Sequence, residues 1–261
     1  MPQFTRYIGI DYSGAETPEA SLKGLRVYMA DGTSQAKEVP PPPSPRWYWA
    51  RREVSEWLVE ILPGKERAIV GIDHGFSFPL KYFKRHHLEP NWSFFLDDFQ
   101  KYWPSDEKYT YVESIREGRR GDGNSRLGST RWKRLCEERT RSAKSVFHFD
   151  VPGSVAKSTH AGLPWLRFIR KRLGDKVHFW PFDGWKIPEG RSVIAEVYPS
   201  LWRHDFPRIE NVTDDQHDAF CIASWLRDAD IEGKLSDYFE PGLNPENRKV
   251  AEIEGWILGV K

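Results

Sequence analysis

Two short stretches of the sequence each carry an apolar run that ends in the same three residues, Gly-Ile-Asp. The first runs from Tyr7 to Asp11 and the second from Ala68 to Asp73. Each run predicts a buried strand that ends at its aspartate. A single aspartate after a strand is more often a turn former, but two neighbouring strands of this kind would place two carboxylates side by side. Because adjacent carboxylates raise each other's pKa unless a cation lies between them, the pair indicates a divalent-metal site.

Three acidic residues later in the chain could add to such a site. Glu196 interrupts the otherwise apolar run from Val193 to Tyr198. A carboxylate in a strand that is covered on both faces is costly unless it is paired or binds a metal. Asp215 and Asp218 follow a capping-box pattern that begins at Thr213, and their spacing of three places both on one side of a helix. Helix N-termini also attract acids, so a capping role for either aspartate stays open.

The segment from Arg116 to Lys144 is locally basic, with ten Lys or Arg residues against four acids. Basic side chains interleaved with an aromatic ring, here Trp132, are typical of a groove that follows a nucleic-acid backbone. A solvated helical face has the same composition, so this alternative stays open. On the first interpretation, the segment binds substrate through Arg131, Lys133 and Arg134. Two further candidates for substrate contact are Ser13, in the turn after Asp11, and Lys157.

Composition excludes several classes of protein. The chain has 261 residues, a net charge of +1 and a pI near 7.8, so it is not a uniformly basic nucleic-acid-binding protein. Its two cysteines, Cys136 and Cys221, fit no zinc-binding pattern. No apolar run reaches the length of a transmembrane segment. We therefore expect a cytoplasmic protein with reduced thiols and no membrane partner.

Hydrophobic periodicity predicts an α/β protein in the order strand, strand, strand, helix, strand, insertion, helix, strand, strand, helix. The first helix is predicted to follow a proline run, with Ser44 as its cap and Pro45 as its first residue. Ser158 and Thr159 are predicted to cap the second helix. Residues from about 80 to 150 lack clear periodicity and are interpreted as an insertion of helices and loops. The order of elements gives a sheet with an antiparallel start and parallel crossovers.

This arrangement resembles the ribonuclease H-like superfamily, in which aspartates on the first strand, a central strand and the last helix hold divalent metals. It is most similar to an uncharacterised branch, the domain of unknown function 429 family, which has a predicted nuclease role. The matching stretches cover the chain apart from the insertion. They are Gly9-Ile10-Asp11, Gly71-Ile72-Asp73, Gly153-Ser154-Val155 to Leu163-Pro164-Trp165-Leu166, Trp180-Pro181-Phe182-Asp183-Gly184-Trp185, Ala195-Glu196-Val197-Tyr198-Pro199 and Asp215-Gln216-His217-Asp218-Ala219.

The resemblance implies a single ribonuclease H-like domain over residues 1–261, with a mixed sheet of five or slightly more strands flanked by helices. It also implies a nuclease that uses Mg²⁺ or Mn²⁺ in a two-metal site to hydrolyse a nucleic acid. The catalytic metal ligands would be Asp11, Asp73 and Asp218, with Glu196 as a fourth and Asp215 as a further ligand. Many nucleases of the superfamily carry a glutamate on the first helix, for which this chain has no clear equivalent.

Two other classes of function stay open. Sugar kinases and actin-like ATPases also begin with a strand that ends in Asp before a Gly-containing phosphate turn, as Asp11-Tyr12-Ser13-Gly14 does. Those proteins have two such domains, however, whereas this chain has one apparent core. The third hypothesis is a nucleic-acid-binding module without catalysis. His74, His160 and His217 are candidate proton shuttles, although a structural role is commoner for each. The sequence does not choose between DNA and RNA.

Overall fold

The fold is built on a mixed sheet of six strands. A computed structural model describes residues 2–43, 46–140, 142–151 and 153–261. The sheet consists of β1 (Arg6–Asp11), β2 (Arg26–Asp31), β3 (Lys37–Glu38), β4 (Ala68–Asp73), β5 (Val177–Trp180) and β6 (Ser192–Glu196). Their order across the sheet is β3-β2-β1-β4-β6-β5. The first three strands pair antiparallel, and the other pairs are parallel. The predicted α/β class and the antiparallel start are confirmed.

Helices flank the sheet. They are α1 (Arg51–Ile61), α2 (Leu80–Arg85), α3 (Trp92–Tyr102), α4 (Val112–Arg116), α5 (Leu135–Arg139), α6 (Ala156–Leu173), α7 (Asp214–Ile231), α8 (Leu235–Tyr238) and α9 (Pro245–Glu254). One face of the sheet packs against α1, α3 and α6, and the other packs against α7. Among the described residues, every helix is too short or too polar to span a membrane.

Helix α1 begins later than the proline run predicts. Ser44 and Pro45 lie outside the described residues, but the helix itself starts at Arg51. The backbone at Ala50 is extended, and its amide donates to the Glu53 carboxylate at 2.9 Å, which caps the helix. The side chain of Trp49, just before the helix, points back to the sheet and donates to the carbonyl of Val39 at 2.8 Å.

Helix α6 begins at Ala156, so Ser158 and Thr159 lie in its first turn rather than before it. Their hydroxyls have other partners. Ser158 Oγ donates to the carbonyl of Val155 at 3.0 Å, and Thr159 Oγ1 accepts from the amide of Gly75 at 2.8 Å. The second bond fastens the start of α6 to the turn that follows β4.

The predicted insertion contains four helices, α2 to α5, and it belongs to the main core. Its aromatic side chains pack closely, for example Phe78 against Phe95 with ring centroids 5.1 Å apart. These rings lie in the same buried cluster as Ile10 and Ile72 of the central strands. Aromatic packing within short helices therefore takes the place of the long-range periodicity that the sequence lacks here.

Helix α7 rests directly on the backbone of the two central strands at a pair of glycines. Gly9 of β1 and Gly71 of β4 are register partners. A Cβ atom at Gly9 would come 2.6 Å from the backbone nitrogen of Ala223 and would also clash with the carbonyl of Ala219. A Cβ atom at Gly71 would lie 2.7 Å from Ile222. Only glycine at both positions allows α7 to approach this closely, which explains the Gly in each Gly-Ile-Asp motif.

We expect Gly9→Ala to destabilise the protein by about 1–3 kcal/mol, because the added methyl group must displace the backbone of α7. Gly32→Ala is the matched control. No atom lies within 4 Å of the Cβ position there, so its effect should stay within about 1 kcal/mol. Urea denaturation of the two variants measures the difference. Equal unfolding free energies would show that α7 does not depend on the glycine contact.

Candidate functional site

The register of the sheet brings the two motif aspartates together. Asp11 and Asp73 are Cα partners at the ends of the parallel strands β1 and β4. Side chains two residues apart lie on the same face of a strand, so both aspartates share the face of Gly9 and Gly71. That face is the one that α7 covers. The prediction that β1 and β4 are neighbours that end in adjacent aspartates is therefore confirmed.

The first turn of α7 contributes two more carboxylates. The helix begins as the capping box predicts, because Thr213 Oγ1 accepts from the amide of Gln216 and the Gln216 side chain accepts from the Thr213 amide. The close approach of α7 at the glycines places Asp215 and Asp218 within electrostatic reach of Asp11. Four carboxylates, those of Asp11, Asp73, Asp215 and Asp218, thus lie at one edge of the sheet. We call them the aspartate cluster.

Burial and mutual repulsion act strongly on this cluster. The pKa of Asp11 is raised well above its usual value, first by burial and then by the charges of the other three aspartates. Hydrogen bonding to the Asp215 carboxyl is a further, smaller cause of the raised pKa of Asp11. Burial, with the charges of Asp218 and Glu196, raises the pKa of Asp73 to about 8. A cation among these groups would relieve both costs, because it would replace proton binding as the source of compensating charge.

Asp218 has one satisfied and one unsatisfied oxygen. Its Oδ2 accepts from Arg203 at 3.1 Å, whereas its Oδ1 is buried and has no hydrogen-bond partner among the residues that the structure describes. Burial raises the pKa of Asp218 and Arg203 opposes that change. An unsatisfied carboxylate oxygen is costly, and it is a donor of the hard-oxygen type that Mg²⁺ and Mn²⁺ prefer. The cluster therefore fits a divalent cation by the chemistry of its donors.

The turn after Asp11 is held in place by hydrogen bonds from Arg51 and by contact with the start of α6. Arg51, a fully buried residue that belongs to none of the sequence motifs, donates to the carbonyls of Ser13 at 3.1 Å, Ala15 at 2.5 Å and Glu16 at 3.1 Å. At Gly14 a Cβ atom would come 2.6 Å from the backbone nitrogen of Ser158, so the turn also abuts the start of α6. An arginine at the first position of a helix gives no sequence signal for this role.

Two candidate substrate contacts lie near this turn. A Cβ atom at Gly24 would be 3.6 Å from both Ser13 Oγ and Asp215 Oδ2, so the Ser13 hydroxyl is close to the aspartate cluster. Lys157, in the first turn of α6, forms an ion pair with Glu113. Both side chains are partly exposed. The structure therefore places Ser13 beside the cluster and Lys157 on the helix that abuts the turn.

Glu196 lies on the other face of the sheet. It is the last residue of β6, and its register partner in β4 is Ile72 rather than Asp73. Adjacent positions of a strand point to opposite faces, so Glu196 faces the buried cluster of α6 and the inserted helices. Both of its carboxylate oxygens accept from Arg134, at 2.5 and 2.7 Å, and one also accepts from the amide of Phe76 at 2.9 Å. The strand acid is paired, which is one of the two outcomes that the sequence allows.

Arg134 is the centre of a buried polar network. The residue is 1% exposed, and its guanidinium also donates to Glu137 at 2.9 Å and to the carbonyl of Glu254 at 3.3 Å. Glu254 in turn accepts from the amides of Leu80 and Leu135. These bonds connect α2, α5, β6 and α9. The guanidinium of Arg134 is therefore not available to a substrate at the surface.

Most other cations of the basic segment also have partners within the protein. Lys133 is half-buried and donates to the carbonyl of Ala143 at 2.8 Å, whereas Arg131 is exposed. Four arginines form ion pairs with acids. They are Arg116 with Asp150, Arg119 with Glu117, Arg120 with Glu107, and Arg126 with Asp98. The arrangement favours the solvated, internally paired alternative over a continuous basic groove.

The three candidate histidines are buried. His160 Nδ1 donates to the carbonyl of Ala156 at 2.8 Å, the ring lies 4.4 Å from that of Trp103, and burial lowers its pKa to about 3. Burial also lowers the pKa of His74 to about 4 and that of His217 below its usual value. A neutral histidine packed among aromatic rings contributes to the core, which agrees with the structural role of His160.

No three His, Cys, Asp or Glu side chains in the described part of the chain form a group that could hold a metal ion as they stand. In the aspartate cluster, the Asp218 carboxylate is paired with Arg203. Comparisons of the chain with protein-family models, curated proteins and solved structures found no match. The function is therefore inferred from the geometry of the site.

We expect Glu196→Gln to destabilise the protein by about 3–5 kcal/mol. The change removes the negative partner of a buried ion pair, so the positive charge of Arg134 loses a counter-charge. Asp150→Asn is the control, since Asp150 also pairs with an arginine through two bonds but is exposed. It should cost far less. Chemical denaturation of both variants compares them. Equal losses would contradict a structural role for the Arg134 network.

Asp73 gives a test of the pKa shift. Because its pKa rises from the usual 3.8 to about 8, the folded protein holds a proton that the unfolded chain releases between these pH values. The associated stability is complete below pH 3.8 and is lost as the pH rises to about 8. In EDTA, the unfolding free energy of the wild type should fall more steeply from about pH 5 to about pH 8 than that of Asp73→Asn. Parallel curves from urea denaturation would contradict the shift.

Proposed function

We propose that this protein is a divalent-metal-dependent nuclease with a ribonuclease H-like fold, which hydrolyses phosphodiester bonds at the aspartate cluster. The observation that carries the proposal is the register of Asp11 with Asp73 beneath the first turn of α7. Two central parallel strands and one helix meet there, and each contributes at least one carboxylate. The mixed sheet with an antiparallel start supports the proposed fold.

Asp11, Asp73, Asp215 and Asp218 would hold Mg²⁺ or Mn²⁺. When bound, such a metal supplies a Lewis acid for the phosphate and lowers the pKa of a water nucleophile. The unsatisfied Oδ1 of Asp218 and the raised pKa values of Asp11 and Asp73 support this assignment. Glu196 is outside the proposed ligand set, because Arg134 uses both of its oxygens.

Residues around the cluster have two roles in the proposal. The bonds from Arg51 to the turn after β1 hold Ser13 beside the cluster, where its hydroxyl can donate to a phosphate oxygen. Lys157 would add a positive charge at the start of α6 once a phosphate competes with Glu113 for it. Arg203, which pairs with Asp218, compensates that carboxylate in the absence of a cation.

The test compares Asp11→Asn and Asp73→Asn with the wild type on a labelled single-stranded oligonucleotide in Mn²⁺. Each variant should lose cleavage activity about 100-fold or more, because the charge that stabilises the transition state is misplaced. Each should melt at or above the wild-type temperature in EDTA, since the change relieves repulsion. Asp228→Asn is the control. It removes an aspartate from the same helix, about 15 Å along its axis from Asp218, and should leave cleavage unchanged.

Two outcomes would contradict the nuclease. One is a wild type that binds no Mn²⁺ and cleaves neither oligonucleotide nor bis(p-nitrophenyl) phosphate, which would leave a binding module. The other is a pair of variants that melt below the wild type in EDTA and still cleave. That result would show the two aspartates to be structural caps, whose loss typically costs about 1 kcal/mol.

A further inference from the structure

An open cleft of about 280 Å³ adjoins the aspartate cluster on the β2–β3 side. Its lining includes Leu25, Arg26, Glu38, Trp47 and Tyr48. Arg26 is the register partner of Asp11, so the cleft begins where β1 and β2 pair at the site. Glu38 accepts from the side chain of Gln216, the residue next to Asp215. Through Arg26 and Glu38, the cleft therefore lies next to the site that the proposed function uses.

Trp47 is the most exposed large hydrophobic side chain among the described residues, with 88% of its surface accessible. The two residues that follow it are anchored by hydrogen bonds. Tyr48 exchanges two backbone hydrogen bonds with Ser21 Oγ, both at 3.0 Å, and Trp49 is buried with its indole bonded to Val39. The backbone that follows Trp47 is thus anchored, and it presents an exposed indole on which a planar ligand can stack.

The second ring of the cleft is already stacked on one side. The guanidinium of Arg26 lies 4.6 Å from the centroid of the Tyr48 ring, and it is oriented by an ion pair with Glu38 at 2.9 Å. The carbonyl of Lys23 also accepts from Arg26 Nε at 2.7 Å. An aromatic ring, a planar cation and an open indole therefore lie side by side. Nucleobases stack on both indole rings and guanidinium planes.

We propose that Trp47, with Tyr48 and Arg26, forms a stacking subsite for an unpaired base of a single-stranded nucleic acid whose backbone passes to the aspartate cluster. This inference rests on the proposed nuclease function and specifies its substrate as single-stranded. In a duplex, base faces are covered by their neighbours and cannot reach a side chain of this kind. The subsite also explains how a chain of net charge +1, in which four arginines of the basic segment are paired with acids, could bind a polyanion: stacking, rather than a basic groove, supplies the contact.

The experiment measures binding without catalysis, by fluorescence anisotropy of a labelled ~12-nucleotide oligo(dT) in EDTA at fixed salt. We expect Trp47→Ala to raise Kd about 5- to 100-fold, which is the range for loss of one stacked base. Trp47→Phe keeps a ring and should recover most of the affinity. The melting temperature of each variant should match the wild type, because the side chain is exposed.

Phe94→Ala is the matched control. Phe94 is also an exposed aromatic residue, but it lies beside Ser93, which accepts from Arg170 in the C-terminal half of α6, away from the cluster. It should leave Kd and activity unchanged. Equal Kd values for Trp47→Ala and the wild type would overturn the subsite. So would duplex DNA that binds as tightly as the single strand, or a Trp47-dependent self-association in sedimentation that accompanies unchanged Kd values.

A second assay distinguishes an error in the stacking subsite from an error in the proposed nuclease function. Hydrolysis of bis(p-nitrophenyl) phosphate by the wild type and Asp11→Asn, in Mn²⁺, tests the aspartate cluster alone. A wild type that hydrolyses this diester but shows no dependence of oligonucleotide binding on Trp47 keeps the nuclease and overturns the subsite. A wild type that is inactive on the diester, yet loses oligonucleotide affinity in Trp47→Ala, keeps the subsite and overturns the nuclease.

Discussion

The close contact of α7 with the backbones of β1 and β4 is the constraint on which the site depends. Gly9 and Gly71 lie opposite each other in the sheet, and a side chain at either would push the helix away. Because side chains alternate along a strand, the same register that pairs the glycines also points Asp11 and Asp73 to the helix. One packing contact thus fixes the relative positions of carboxylates that are up to 207 residues apart in the sequence.

The contact has an electrostatic cost. It encloses acidic side chains at the edge of the sheet, and the raised pKa values of Asp11 and Asp73 are the measure of that cost. The protein meets a similar problem differently at Glu196, where Arg134 provides a buried counter-charge. The acids on the two faces of the sheet, where these strands end, therefore have their charge compensated in different ways. One set is paired within the protein, and the other depends on protons, on Arg203, or on the cation that we propose.

Sequence reasoning found the elements that have strong local signals. The repeated Gly-Ile-Asp strands, the capping box of α7 and the antiparallel start all follow from apolar runs and turn residues, and the structure agrees. The structure begins α1 at Arg51 and α6 at Ala156, although Ser44 and Ser158 are good caps by type, because Glu53 caps the Ala50 amide locally and Thr159 bonds to the turn after β4. The bounds of the inserted helices are not predictable, since α2, α4 and α5 have only five or six residues each and α3 lies in a mixed aromatic and charged stretch.

The sequence could not place Glu196 or Arg134. Whether a strand acid lies beside Asp73 or Ile72 depends on a register shift of one residue, which no local pattern encodes. The partner of that acid is 62 residues away, in a segment whose charge had a plausible surface interpretation. Arg51 escaped notice for a similar reason, because its acceptors are backbone carbonyls of another element.

The most direct measurement of the central claim is anomalous diffraction from crystals soaked in Mn²⁺. If Asp11, Asp73, Asp215 and Asp218 exist to hold metal, anomalous density will lie among their carboxylates, and Asp218 Oδ1 will be within bonding distance of it. Two peaks about 3.5–4 Å apart would match a two-metal site. An absence of anomalous density at the cluster, with Asp218 still paired with Arg203 at saturating Mn²⁺, would contradict the account.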